Sequence, residues 1–229
     1  MSLYPINLKI ENCLCLVVGG GAVAFRKCSG LIQAEARVRV ISPELAPELR
    51  VLAENGAVEW FERPFVEGDL EGVLLVFAAT NDRKVQELVQ EEARKKKVLL
   101  NSADAPVESD FHVPAHFRRG PMIVSVSTGG GSPALAKRLR KQLEDVIVPE
   151  YQNVAELMGI IRELVIALGG PQQESRAIFR SLLEGNLVEY VLEENWFDLQ
   201  MLLLQKLPEE LDSAALMKIF FERQELVRE

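Results

Sequence analysis

No apolar run in the 229 residues approaches the ~20 needed to cross a bilayer, so no membrane-spanning segment is expected. The opening MSLYPINLKI has no basic stretch leading into an apolar core and a small-residue cleavage site, so no export signal is expected either. Cysteine is scarce, with three residues in all. An odd, small number in a chain without an export signal excludes a disulfide framework and fits a reducing, cytoplasmic setting. Two histidines and no C-x-x-C spacing leave no visible metal cage. Positive charge is in deficit, 26 Lys+Arg against 34 Asp+Glu for a net of -8. A phosphate backbone needs a basic footprint, so nucleic acid is not the expected partner. Internal repeats and low-complexity tracts are missing as well.

What is present is an ordinary globular composition, 48% hydrophobic, long enough for one large or two small domains. The first part alternates strand-like and helix-like segments. Cys13 to Val18 (CLCLVV) is a short apolar run ending in glycines, which reads as a buried parallel strand. Val23 to Ala34 has helical spacing, with Arg26 and Lys27 on its exposed face. Arg37–Ile41 alternates and reads as a strand, Pro47–Glu54 as a helix, and Val58–Glu62 and Val73–Ala79 as strands. Lys84–Lys96 is a helix with a charged outer face, and Val98–Asn101 a fifth strand. Strands alternating with helices predict an α/β fold of Rossmann type, a doubly wound parallel sheet. Met122–Ser127 alternates and meets three glycines. After Pro133 only helical periodicity remains, over 134–147, 152–168, 174–183, 197–207 and 213–228. The expected division is a nucleotide-binding domain at 1–113, a small central segment at 114–148 and an all-helical region at 149–229.

Gly19-Gly20-Gly21-Ala22-Val23-Ala24 fits G-x-G-x-x-G/A between a strand and a helix. In that setting the glycines permit a tight turn and bring backbone N–H groups to a pyrophosphate at the positive end of the helix. Gly19, Gly21, Ala22 and Val23 are therefore candidates for binding NAD. Glycine-rich turns also occur in other α/β chains, so the motif needs its context. An acid some twenty residues on should meet the ribose, and Glu44, after Ser42 and Pro43, stands there. No arginine follows directly to take a 2′-phosphate, which favours NAD over NADP. Glu44 also reads as a solvated residue near the start of the next helix. Thr80 and Asn81 follow the fourth strand, placed to face the glycine loop, and Thr80-Asn81-Asp82 also reads as a helix cap. Asp104, in LLNSADAP, stands just past the fifth strand. It reads either as a turn residue before Pro106 or as a group that handles protons.

Five elements in order resemble one family: GGGAVAFRK at 19–27, AATND at 78–82, NSADAP at 101–106, DFHVPA at 110–115 and VSVSTGGGSPALAKRLR at 124–140. They resemble the precorrin-2 dehydrogenases/sirohydrochlorin ferrochelatases, including the N-terminal half of bacterial sirohaem synthases. The likeness covers roughly the first 150 residues, while the helical tail fits only in kind. It implies NAD-dependent oxidation of precorrin-2 to sirohydrochlorin, with ferrous iron inserted afterwards in some members. It implies a homodimer paired through residues 114–148, and Asp104 as general acid/base. It also implies tetrapyrrole contacts in the Ser125–Ser132 loop, which contains STGGGS: Ser125, Ser127, Thr128, Gly129, Gly130 and Ser132. A polycarboxylate substrate needs a local basic patch on so acidic a chain. Arg118, Arg119, Lys137, Arg138, Arg140 and Lys141 supply one, with Lys137 and Arg138 the expected contacts; a solvated helix face is the alternative. Thr128, beside Ser127, aligns with a serine that sirohaem synthases phosphorylate. Those synthases also carry a methyltransferase domain, and with the sequence ending at Glu229 the methylation is expected from another protein. His112 and His116 flank the acidic loop, His112 either as a structural hydrogen-bonding group or as an aid to proton removal or iron delivery. The cysteines read as core residues. The alternatives are a dehydrogenase without chelatase activity, or an NAD-binding regulator whose helical tail docks a partner.

Overall fold

A computed structural model describes residues 3–103 and 105–228 and divides the chain into two compact units, 1–113 and 114–229. In the first, a five-stranded parallel sheet runs in the order β3-β2-β1-β4-β5. The strands are β1 (Leu14–Val18), β2 (Arg37–Ile41), β3 (Glu59–Phe61), β4 (Leu75–Ala78) and β5 (Leu99–Ser102). The chain passes from β1 outward through β2 to β3, then crosses back to pair β4 on the other side of β1. That reversal leaves a crevice beyond the carboxyl ends of β1 and β4.

Alternation along β1 covers both faces of the sheet. Cys15 and Val17 join one core with Ala24, Cys28 and Leu31 of α1 (Ala22–Gln33) and Leu49 of α2 (Pro47–Glu54). Leu16 and Val18 point into a second core with Val89 and Ala93 of α3 (Arg83–Lys96). The fold is thus Rossmann-like and doubly wound. Arg26 is exposed as expected, but Lys27 is half-buried, its ammonium lying over the Phe77 ring of β4.

The second unit begins with an antiparallel hairpin, β6 (Ala115–Arg119) and β7 (Met122–Val126), paired from Ala115↔Val126 to Arg119↔Met122. Helix α4 (Pro133–Val146) packs on both strands. The helices α5 (Tyr151–Ala167), α6 (Gln172–Glu184), α7 (Leu187–Leu192), α8 (Trp196–Lys206) and α9 (Ser213–Arg228) close over Leu157, Ile160, Leu182, Leu199, Leu203 and Phe220. Strand β6 and helix α7 are absent from the sequence reading. AHFRR buries only Phe117, so it carries almost no alternating signal, and α7 is six residues between Asn186 and Glu194, both in left-handed backbone. No described helix is long and apolar enough to cross a membrane.

Candidate functional site

The crevice at the strand reversal has a volume of about 540 Å³ and is lined by Gly19, Gly21, Ala22, Val23, Glu44, Thr80 and Asn81 among others. Three consecutive glycines build its floor for different reasons. A Cβ on Gly19 would overlap the Ala79 carbonyl, 2.7 Å from its carbon, and the residue has φ +121°. A Cβ on Gly20 would overlap the Glu44 carbonyl oxygen and lie 2.7 Å from the Ser42 hydroxyl. There the β2–α2 turn closes onto the loop, with the Ala46 N–H donating to the Gly20 carbonyl at 2.7 Å. Gly19 and Gly20 thus answer to the fold. Gly21 does not, since it has ordinary extended backbone (φ -87°) and nothing lies within 4 Å of where its Cβ would be. It is the N-cap of α1, and no side chain caps that helix. Ala24, the last residue of the motif, is fully buried between helix and sheet.

The neighbouring helices behave differently. The Asp82 carboxylate accepts from the N–H groups of Lys84 and Val85 at 2.9 and 3.3 Å and so caps α3. The Thr80 hydroxyl accepts from the Asp82 N–H at 3.2 Å, which fixes the turn that also lines the crevice. Capping and lining coexist in this segment. Glu44 is exposed on the crevice rim, whereas Pro43 beside it is exposed and not part of the lining.

Beyond β5, residue 104 lies outside the described residues, but the stem of its loop is well defined. Asp110 N–H donates to the Leu100 carbonyl at 2.8 Å, and its carboxylate accepts from the Leu100 N–H at 2.9 Å. The Ser109 hydroxyl accepts from the Ser102 N–H at 2.9 Å, and Asn101 Nδ2 donates to the Phe111 carbonyl at 2.9 Å.

In the second unit the β7–α4 turn is closed by its own hydroxyls. Thr128 Oγ1 accepts from the Ser132 N–H and donates to the Ser132 carbonyl, both at 3.1 Å. Ser132 Oγ accepts from the Leu135 N–H and caps α4, and Ser127 Oγ accepts from the Gly129 N–H at 3.2 Å. Gly129 and Gly130 both have positive φ, 61° and 85°, and Ser125 is exposed on β7 opposite His116. The basic residues divide into two sets. Arg119 is spent on the Ile147 and Glu144 carbonyls at 3.1 and 3.3 Å, and Arg140 pairs with Glu144 at 2.8 Å. Arg118, Lys137, Arg138 and Lys141 are exposed with no carboxylate partner among the described residues.

Residues 6–115 match a family of NAD(P)-binding chains, and residues 119–145 match the central segment of sirohaem biosynthesis proteins. A sirohaem synthase of Aeromonas hydrophila is 39% identical over 183 residues, covering 80% of this chain and 39% of that protein. One of Pseudomonas aeruginosa is 38% identical over 192 residues, covering 84% and 41%. The solved structure of SirC, a precorrin-2 dehydrogenase, superposes with a TM-score of 0.69 at 26% identity, over 87% of this chain and 98% of that one. The chain belongs to the sirohaem synthase/precorrin-2 dehydrogenase family. It spans about two-fifths of the length of the sirohaem synthases it matches.

Membership accounts for the first unit as an NAD(P)-binding one, and the crevice fits such a cofactor. The space left by Gly21 and the uncapped end of α1 are what an anionic pyrophosphate requires. Among the described residues no group of three or more His, Cys, Asp or Glu comes together as a metal site. Cys13, Cys15 and Cys28 all join one core, where burial pushes the Cys15 thiol up to about 11 and Cys28 to about 12. The sequence reading overlooked Ser42, Leu45, Ala46 and Ala79, which also line the crevice. Their only signal is position after a strand.

Proposed function

We propose that this chain is an NAD-dependent precorrin-2 dehydrogenase, oxidising precorrin-2 to sirohydrochlorin on the way to sirohaem. The observation that carries this is the Gly21 cradle at the crevice, in a chain that aligns with nearly all of a precorrin-2 dehydrogenase. Gly21, Ala22 and Val23 hold the pyrophosphate with backbone N–H groups at the start of α1, over Gly19. Thr80 and Asn81 bound the cofactor from the β4 side, and Pro43 shapes the turn that presents Glu44. Glu44 receives the ribose hydroxyls. NAD is preferred over NADP because a 2′-phosphate would meet the Glu44 carboxylate and no lysine or arginine among the crevice residues.

Bound in the crevice, the nicotinamide supplies the acceptor for the hydride that leaves a saturated carbon of the macrocycle. Asp104 accepts the proton lost in the same oxidation, from a loop at the carboxyl end of the sheet where such groups collect. Lys137 and Arg138 attract substrate carboxylates, while Ser125 on β7 and Ser127, Thr128, Gly129, Gly130 and Ser132 of the following turn bear against the ring. A regulator that merely senses NAD has no use for those exposed cations.

The working unit is a homodimer. Leu135, Leu139, Leu143 and Val146 recur along one side of α4, 38–72% exposed, with Ile123 of β7 43% exposed. Such a stripe on a soluble helix calls for a partner, and a second copy of the same stripe is self-complementary.

Purified protein mixed with precorrin-2 and NAD should convert the tetrapyrrole spectrum to that of sirohydrochlorin as NADH appears. NAD binding with no spectral change would favour the regulator. Ferrous iron added after oxidation reads chelation as a separate step, with iron as substrate.

A further inference from the structure

Lys27 lies in the second turn of α1, half-buried, with no carboxylate within ion-pair distance among the described residues. Its ammonium donates to Asn101 Oδ1 at 3.1 Å and sits 5.0 Å from the centroid of the Phe77 ring. Asn101 is buried in β5, and its amide nitrogen donates to the Phe111 carbonyl. The Phe111 ring returns to meet the Phe77 ring edge-on at 5.4 Å. The four residues form a closed circuit joining α1, β4, β5 and the segment after the 102–110 loop.

Holding an ammonium in this place carries a desolvation cost. Burial, with the Arg26 charge beside it, lowers the Lys27 pKa below the ordinary lysine value. A methionine would occupy similar volume without the desolvation of a charge, but would leave Asn101 Oδ1 without this donor. What the ammonium adds is a directed bond on Asn101. That bond fixes which way the Asn101 amide faces, and hence which group takes the Phe111 carbonyl. Asn101 and Phe111 are the two ends of the loop that carries Asp104.

We propose that Lys27 is a positioning residue for the Asp104 loop, locking both of its ends to α1, the helix whose amino terminus faces the crevice. This rests on the dehydrogenase reading for its effect on turnover, though the locking of the loop stem does not. A cofactor bound at the start of α1 and the proton-accepting loop are thereby referred to one rigid element. Small errors in such placement are costly to rate, up to about a hundredfold per ångström.

The test uses Lys27→Met and Lys27→Arg in the full chain. Lys27→Met should lower kcat about tenfold or more, with KM and Kd for NAD within twofold of wild type. The Ser102 and Asp110 amides, which close the loop stem, should exchange with deuterium at least tenfold faster. Lys27→Arg keeps a cationic donor for Asn101 and should recover much of both. Wild-type kcat in a folded Lys27→Met protein would overturn the proposal. So would a parallel fall in kcat, NAD affinity and melting temperature, which marks a general packing defect. If the wild-type protein proves unable to oxidise precorrin-2, the exchange rates decide alone. Unchanged exchange at Ser102 and Asp110 then refutes the locking, and faster exchange sustains it.

Discussion

Alanine at Gly21 separates the ligand's demands from those of the fold. A methyl there meets nothing within 4 Å, and φ of -87° suits any residue. Alanine is a poorer N-cap than glycine by about 0.5–1 kcal/mol, while the stiffer unfolded chain returns about 0.4–1 kcal/mol. These nearly cancel, so the melting temperature of Gly21→Ala should stay within about 3 °C of wild type. At Gly20 the same methyl would overlap the Glu44 carbonyl and approach its carbon to 2.9 Å. That turn is held by the Ala46 bond to Gly20 and moves only by breaking it, so Gly20→Ala should cost about 1–3 kcal/mol. Cofactor affinity should follow a different order. A methyl in the pyrophosphate's space displaces it from at least one charge-assisted hydrogen bond, worth about 1.5–3 kcal/mol, or roughly ten- to a hundredfold in Kd. Titration calorimetry with NAD, run beside thermal melts, resolves both quantities. Gly21→Ala binding NAD as tightly as wild type would refute the assignment of that space to the cofactor. A melting point many degrees lower would show that Gly21 serves the fold after all.

Asp104→Asn keeps the size of the side chain but cannot accept a proton as a base, so turnover should fall about a hundredfold with NAD binding intact; wild-type turnover would remove Asp104 from the chemistry. Leu139→Glu puts a charge into the exposed stripe of α4 and should convert dimer to monomer in analytical ultracentrifugation, without loss of helical circular dichroism. Native protein at pH 8 should react with a thiol reagent at Cys13 alone. Cys15 and Cys28 are buried and held far above that pH, and all three should react once the chain is unfolded.

Local pattern carried the sheet. RVRVI and PELRVLAE match β2 and α2 from end to end, because a buried strand and an amphipathic helix leave periods that survive in sequence. The glycine loop was legible for the same reason, since G-x-G after an apolar run has few structural uses. Its internal division was not. Gly20 is required by a carbonyl 24 residues away and Gly21 by empty space, and neither fact has a local trace. Lys27 shows the limit most clearly. Beside Arg26 on a helix it reads as one more solvated cation, yet its partner is Asn101, 74 residues on. Only the topology that sets β4 and β5 beside α1 brings the two together. Among the basic residues near α4, sequence could not separate Arg119 and Arg140, consumed by backbone carbonyls and Glu144, from Lys137 and Arg138, which have no carboxylate partner among the described residues.

That last division bears on how the two ligands are gripped. Of the helices that begin at candidate loops, α3 and α4 are capped by Asp82 and Ser132, while α1 has no side-chain cap. At the β7–α4 turn the Thr128 hydroxyl is likewise spent on Ser132, so this turn presents fewer donors to an anion than the glycine loop does. On the proposed assignment the cofactor's pyrophosphate would be held by fixed backbone dipoles in a crevice, and the tetrapyrrole carboxylates by exposed cations. Salt screens the second far more than the first, since the Debye length shrinks from about 10 Å at 0.1 M to about 3 Å at 1 M. Raising ionic strength over that range should therefore increase KM for precorrin-2 severalfold and leave Kd for NAD within twofold. Charge reversal at Lys137 and Arg138 together should raise KM for the tetrapyrrole at low salt and flatten its salt dependence, with NAD unaffected. A salt response equal for both ligands, or one that persists unchanged in the double variant, would remove these two side chains from the substrate's path.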